Sequence, residues 1–163
     1  MVISLSASAT VAAAFMRFLA PPEPAAETPS SARGRSVFTE IGCALCHTPA
    51  LTTGRSSSAA LSQKAVNLFS DVLLHRMGPG LADNIVQGAA EGDEFRTAPL
   101  WGLGQRIFLL HDGRTTDLVE AIEAHASRSD GRFRPSEANA VIARFRALGS
   151  AKKQDLLNFL RSL

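Results

Sequence analysis

The sequence has no tyrosine and a single tryptophan, and aromatic residues make up 6% of its 163 positions. That composition argues against a large aromatic core, so part of the interior bulk has to come from elsewhere. No run of apolar residues reaches the roughly 18 needed to span a bilayer, which removes a transmembrane helix from the expectations. Lysine and arginine form no dense run and the formal net charge is +2, so composition gives nucleic-acid binding no support. The opening stretch MVISLSASATVAAAFMRFLAPPEP lacks a positive n-region, and its first base, Arg17, sits where a leader would be cleaved. It therefore reads poorly as a secretory signal. Cysteine is scarce too: Cys43 and Cys46 are the only two, and they share one short segment.

Against these absences, 45% hydrophobic and 20% charged residues are ordinary for a folded chain, long enough for one domain with a core and too short for two of usual size. Within residues 1–20, Val11, Ala14, Phe15, Phe18 and Leu19 recur at helical spacing and predict one apolar stripe, ended by Pro21 and Pro22. Such a helix is expected at the end of a preceding domain. Residues 21–30, rich in Pro and Ala, read as an extended linker. The main domain is expected over 31–163. It opens with a helix N-capped by Ser31 that carries Val37, Phe38 and Ile41 on one face and leads into the cysteines. Residues 52–64 read as a small-residue loop. Residues 67–104 read as irregular chain with at most a short strand near Phe69 to Leu74.

Beyond Thr115 the pattern becomes helical. Thr115 and Asp117 stand at a helix start that runs toward His125. Ala138, Val141, Ile142, Phe145 and Leu148 mark a second stripe, opened by Pro135 and Ser136 and ended by Gly149. Leu156, Leu157, Phe159, Leu160 and Leu163 mark a third, capped by Ser150. From residue 126 onward, Arg128, Arg132, Arg134, Arg144, Arg146, Lys152, Lys153 and Arg161 face only Asp130, Glu137 and Asp155, which reads as a solvated basic helical face in preference to the alternative, a docking surface for an acidic partner. The expected fold is mostly α: three or four amphipathic helices around long irregular loops.

Chemistry concentrates in IGCALCHTPAL, residues 41–51. Cys43, Cys46 and His47 form C-x-x-C-H, a spacing that lets two thiols add to the two vinyl groups of one haem while the adjacent imidazole ligates the iron. Half a zinc site and a redox dithiol begin with the same spacing. Zinc would want a second ligand pair, and His75, His111 and His125 stand at no usual finger spacing. A thioredoxin-like dithiol would want a βαβ context, whereas the flanks here are a helix and a Gly/Ser loop. The expectation is one covalently attached haem c, matured outside the cytoplasm in the periplasm or an equivalent compartment. A buried porphyrin also answers the shortage of aromatic bulk. On the residues alone, the sixth iron ligand is open among His75, Met77, His111 and His125.

The stretch FRTAPLWGLGQRIFLLHDGRTTDLVEAIEAH, residues 95–125, together with GCALCH and the closing LLNFLRSL, resembles the C-terminal haem domain of the bacterial di-haem cytochrome c peroxidase and MauG superfamily. More narrowly, it is similar to the di-haem oxidoreductase branch, described as thiol oxidoreductases or peroxidases. The resemblance covers residues 31–163, and the combination of C-x-x-C-H with R-x-x-P-L and H-D-G-R-x-x-x-L-x-E-A is far more specific than any one part. The helix AAFMRFLAPP looks like the tail of the N-terminal haem domain of that branch. The resemblance implies that His125 is the distal ligand opposite His47, with Met77 in LLHRMGPG as the alternative, and that His111 lines the pocket.

A haem also brings two propionates that need cationic partners. Arg96, Arg106 and Arg114 bracket the pocket segment and are the candidates. Trp101 is a candidate for packing at the haem edge. The functional expectation is a domain that passes single electrons to or from another haem domain or redox protein. The alternative is the electron-supplying domain of a di-haem peroxidase. The family has two C-x-x-C-H motifs and this chain has one, so the chain alone is expected to be weak or inactive as a peroxidase.

Overall fold

A computed structural model describes residues 7–163. Among the described residues there are five α-helices, α1 (Ala7–Arg17), α2 (Pro29–Glu40), α3 (Leu118–Glu123), α4 (Asn139–Arg146) and α5 (Ser150–Arg161). There are also four very short strands, β1 (Leu51–Thr52), β2 (Ala65–Val66), β3 (Leu74–Arg76) and β4 (Glu94–Arg96). The strands pair into two antiparallel hairpin-like ribbons, β1 with β2 and β3 with β4, the second in the register Leu74 to Arg96, His75 to Phe95 and Arg76 to Glu94. With 3₁₀ turns and isolated bridges counted, the fold is mixed, about 34% helix and 9% strand: the expected amphipathic helices and long irregular loops are present, and the short ribbons come in addition to them. Each pairing joins only two or three residues across a long loop, too few for sequence alternation to betray it. The one anticipated strand also shifts, from Phe69–Leu74 to Leu74–Arg76.

Helix starts follow local chemistry, though not always at the expected residue. Thr28, not Ser31, caps α2: its hydroxyl accepts the Ser31 amide at 3.1 Å, and the Thr28 amide donates to the Ser31 hydroxyl at 2.8 Å. Pro29 takes the first helical position, where a missing N–H costs nothing. Pro29 and Ser30, assigned to the linker on sequence, thus belong to the helix. At α3, Asp117 Oδ1 accepts the amides of Val119 at 2.7 Å and Glu120 at 2.9 Å. At α5 the cap position is Gly149, with Ser150 already inside the helix.

The core lies where α2 crosses α5. Val37, Phe38 and Ile41 of the first meet Leu156, Phe159 and Leu160 of the second, joined by Phe69, Leu103, Phe145 and Leu163. Three of the few aromatics gather here: Phe38 packs edge-on to Phe159 at 5.4 Å and to Phe69 at 6.1 Å, and Phe69 to Phe159 at 5.7 Å. An exposed Arg33 fork grips Asp155 at 2.8 and 2.9 Å across the same crossing, a surface pair worth little beyond orientation. By contrast, α1 leaves Val11, Phe15, Met16, Phe18 and Leu19 exposed, each by half or more. No helix of the described residues is long and apolar enough to cross a membrane.

The crossing depends on Gly34. A β-carbon there would stand 2.0 Å from the Asp155 carbonyl oxygen and 2.6 Å from Phe159 Cβ, so any side chain forces the two backbones apart. Overpacking of this kind typically costs roughly 1–3 kcal/mol, and the obstruction here is backbone that cannot swing aside. Gly34→Ala is expected at the upper end of that range, read as a lower urea midpoint with an unchanged slope. A midpoint within error of the parent would show that α2 and α5 separate at no cost.

Candidate functional site

Gly42, at φ +95°, turns the chain out of α2, and Cys43–Leu45 follow as a single 3₁₀ turn with Cys46 at its end. This compact turn brings Cys43 against the core and delivers His47 beneath Phe38, with ring centres 6.4 Å apart. His47 Nδ1 bonds the Phe69 carbonyl at 3.0 Å. Phe69 reaches that position in the left-handed region, at φ +52°, a conformation a bulky residue adopts only when its surroundings enforce it. Buried Ser70 supplies part of the enforcement, donating to the Thr97 carbonyl at 2.7 Å and accepting the Val72 amide at 2.9 Å.

From the opposite direction, α3 ends at Glu123 and releases His125, whose Nδ1 bonds the Ala121 carbonyl at 2.7 Å. The two imidazoles face one another with ring centres 6.5 Å apart and planes at 58°. Burial lowers the His47 pKa to about 4, outweighing its bond to Phe69, and burial likewise lowers that of His125. Both rings are thus neutral near pH 7, the ligating form, and with Nδ1 occupied on each, Nε2 is the nitrogen left for a metal. A metal held between two imidazole nitrogens at about 2 Å each separates ring centres by about 6 Å. The 6.5 Å between the ring centres of His47 and His125 is therefore compatible with one metal held between them.

The thiols behave differently from those of a redox dithiol. Burial pushes Cys43 up to about 11 and raises Cys46 as well, the latter with help from Asp71 and Glu137. A dithiol that attacks disulfides needs a lowered pKa. Both cysteines are free and half-buried.

The other sequence candidates are distributed as follows. Met77 is buried, and its amide donates to the Asp93 carbonyl at 2.8 Å. His111 is exposed and stacks on Phe95 at 4.4 Å. Arg106 donates to the carbonyls of Pro99 at 2.9 Å and Trp101 at 3.3 Å, tying the half-buried tryptophan's backbone in place. Arg114 pairs with Asp112 and donates to the Gly80 carbonyl at 2.8 Å. Arg96 is exposed and has no carboxylate or carbonyl partner among the described residues.

His75 is engaged in a cluster that sequence reasoning missed. Its Nε2 meets Asp71 at 2.8 Å, its Nδ1 meets Glu137 at 2.8 Å, and Cys46 Sγ lies 3.7 Å away. Glu137 also accepts the Arg76 amide at 3.1 Å. No local signal could have paired residues 71 and 137 through an imidazole. Although burial opposes it, the two carboxylates raise the His75 pKa. His75 itself lowers Glu137; Asp71 is lowered by the Leu73 amide and His75 against its own desolvation.

The sign of the resulting pH dependence follows. A raised histidine contributes stability that is complete below its unfolded value near 6.5 and is lost as pH rises through the folded value; lowered carboxylates contribute above about 4 and lose it on acidification. The cluster is strongest between those limits. The melting temperature of the parent minus that of His75→Gln should therefore shrink as pH is raised from about 6 to 8, and a difference that grows over that range would contradict the cluster.

A family model described as "Di-haem oxidoreductase, putative peroxidase" matches residues 7–163. Among solved structures the chain is similar to a MauG-like protein associated with microbial copper homeostasis, at 21% identity and a TM-score of 0.55, covering 98% of this chain and 58% of that one. At that identity the likeness is one of fold, and the chain spans less than two thirds of the solved protein's length. No curated protein sequence matches the chain.

Proposed function

The chain belongs to the di-haem oxidoreductase family, and from that membership we propose that it is a c-type haem domain that passes single electrons to or from a partner haem. The observation that carries this reading is the pair of half-buried imidazoles 6.5 Å apart, each with Nδ1 bonded to a backbone carbonyl, beside two half-buried thiols. A haem bound here supplies one-electron redox chemistry. Cys43 and Cys46 would hold it through their sulfurs, and His47 and His125 would hold its iron through Nε2. Phe38 and the α2–α5 core exclude water from one side of His47. Of Arg96, Arg106 and Arg114, Arg96 is the one whose guanidinium is left without a carboxylate or carbonyl partner among the described residues and would be free for a propionate. Two histidine ligands would leave the iron no open position for peroxide, so the group would serve electron transfer.

A second reading has support in the family description itself, which names a peroxidase with two haems. In it, this domain supplies electrons to a peroxide-reacting haem carried by another domain, and α1, with its exposed apolar side chains, is the closing helix of that domain. Both readings place attachment of the haem outside the cytoplasm.

The test is spectroscopic. After co-expression with a c-type maturation system, the reduced-minus-oxidised spectrum should show the sharp α and β bands of a six-coordinate haem. His125→Ala should abolish the low-spin signature and Met77→Leu should leave it intact. The reverse pattern would transfer the sixth ligand to Met77, and no haem absorbance at all would remove both readings.

A further inference from the structure

We infer that the loop between α3 and α4 is the docking site of an acidic redox partner protein, held by Arg128, Arg132 and Arg134. The inference rests on the proposed electron-transfer function and names the surface and the partner chemistry that serve it.

These arginines do not lie on a helical face. They occupy residues 126–136, the loop that carries the chain away from His125, and all three are exposed. No acidic side chain stands within ion-pair distance of them among the described residues, whereas Arg33, Arg35, Arg76, Arg114, Arg146 and Lys152 are each paired with a carboxylate. The only acid in the loop, Asp130, is itself exposed and accepts the amides of Arg132 at 2.9 Å and Phe133 at 2.8 Å. Three guanidinium groups against one carboxylate leave the loop at net +2. The nearby Glu137 is engaged by His75 and the Arg76 amide, and Asp112 by Arg114, so neither cancels it.

The loop is also stiff. Asn139 bonds both backbone groups of Ser127, accepting its amide at 3.0 Å and donating to its carbonyl at 2.8 Å; the Gly80 amide donates to the Ser127 hydroxyl at 2.9 Å. Ser129 bridges to the Phe133 carbonyl at 2.7 Å, and Ser136 donates to the His125 carbonyl at 2.6 Å. Arg132 lies over the Phe133 ring at 4.7 Å. A surface already ordered binds without an ordering penalty, and the guanidinium fork matches carboxylates in geometry as well as charge. The Ser136 bond ties this surface to the backbone of a proposed iron ligand, so a partner held here stands close to the electron's exit. Three arginines fall short of the basic clusters that hold anionic membranes, and the loop's one large apolar side chain, Phe133, is buried, leaving nothing to insert into lipid.

The test uses the haem-loaded chain and small anions in place of the partner. Hexacyanochromate(III), an inert paramagnetic trianion, should broaden amide resonances of residues 126–136 first, and poly-L-glutamate should displace it. Ferricyanide should oxidise the reduced chain at a rate that falls with ionic strength. The triple variant Arg128→Glu, Arg132→Glu, Arg134→Glu should lower that rate by roughly tenfold or more at low salt, and the corresponding Gln variant by less. An Arg55→Glu, Lys64→Glu control should change it little. Broadening elsewhere on the surface, a rate indifferent to the triple variant, or sedimentation with phosphatidylglycerol vesicles abolished by the same variant would each overturn the inference. Should the chain take up no haem, the proposed function fails by itself, and the broadening map still reports whether the arginine loop is the anion-binding surface.

Discussion

Two hydrogen bonds, from His47 to the Phe69 carbonyl and from His125 to the Ala121 carbonyl, fix which nitrogen of each imidazole is available and in which direction it is presented. Much of the fold can be read as support for them. On the His125 side the acceptor is ordinary helical backbone, made early in the chain's turn out of α3 by the Asp117 cap. On the His47 side the acceptor is a strained phenylalanine, held by Ser70 and by packing against Phe38 and Phe159. A bulky residue in the left-handed region costs on the order of 1 kcal/mol or more, and the α2–α5 core is what sustains it. Three of the ten aromatic side chains, Phe38, Phe69 and Phe159, meet at that point and brace the segment that holds His47.

The electrostatics divide sharply over a short distance. His47, His125 and Cys43 sit where burial disfavours charge in every one of them. Beside Cys46, His75 sits between two carboxylates that favour its charged form. The first environment keeps imidazole neutral for ligation and thiols uncharged; the second anchors β3 to the segment that leads into α4. The separation explains why only two of the four histidines stand as candidate ligands: His75 is committed to Asp71 and Glu137, and His111 lies at the surface against Phe95.

How much of this was legible in the sequence depended on how local the signal is. C-x-x-C-H falls within one tight turn, so the sequence alone places its three side chains together, and the stripes of α2, α4 and α5 survive because burial repeats with the helix. Thr28 was legible too, since Pro29 at the first helical position points to the residue before it as the cap; Ser31, three residues on, was the less economical choice. His125 as the partner of His47 came from family resemblance and not from periodicity, because their approach depends on the path of everything between them. The β3–β4 pairing and the Asp71–His75–Glu137 cluster are likewise non-local. Of the basic residues expected on a helical face, Arg144, Arg146, Lys152, Lys153 and Arg161 do lie on α4 and α5, whereas Arg128, Arg132 and Arg134 lie in the loop that Gly131 and Pro135 mark, and that difference changes what these three can do.

The claim on which the account stands is that one iron sits between two imidazole nitrogens. X-ray absorption at the iron edge of the oxidised, haem-loaded chain reads the ligand atoms directly. The account predicts a first shell fitted by nitrogen alone, four from the porphyrin and two from histidine. A sulfur scatterer bonded to the iron would contradict it and assign Met77 in place of His125.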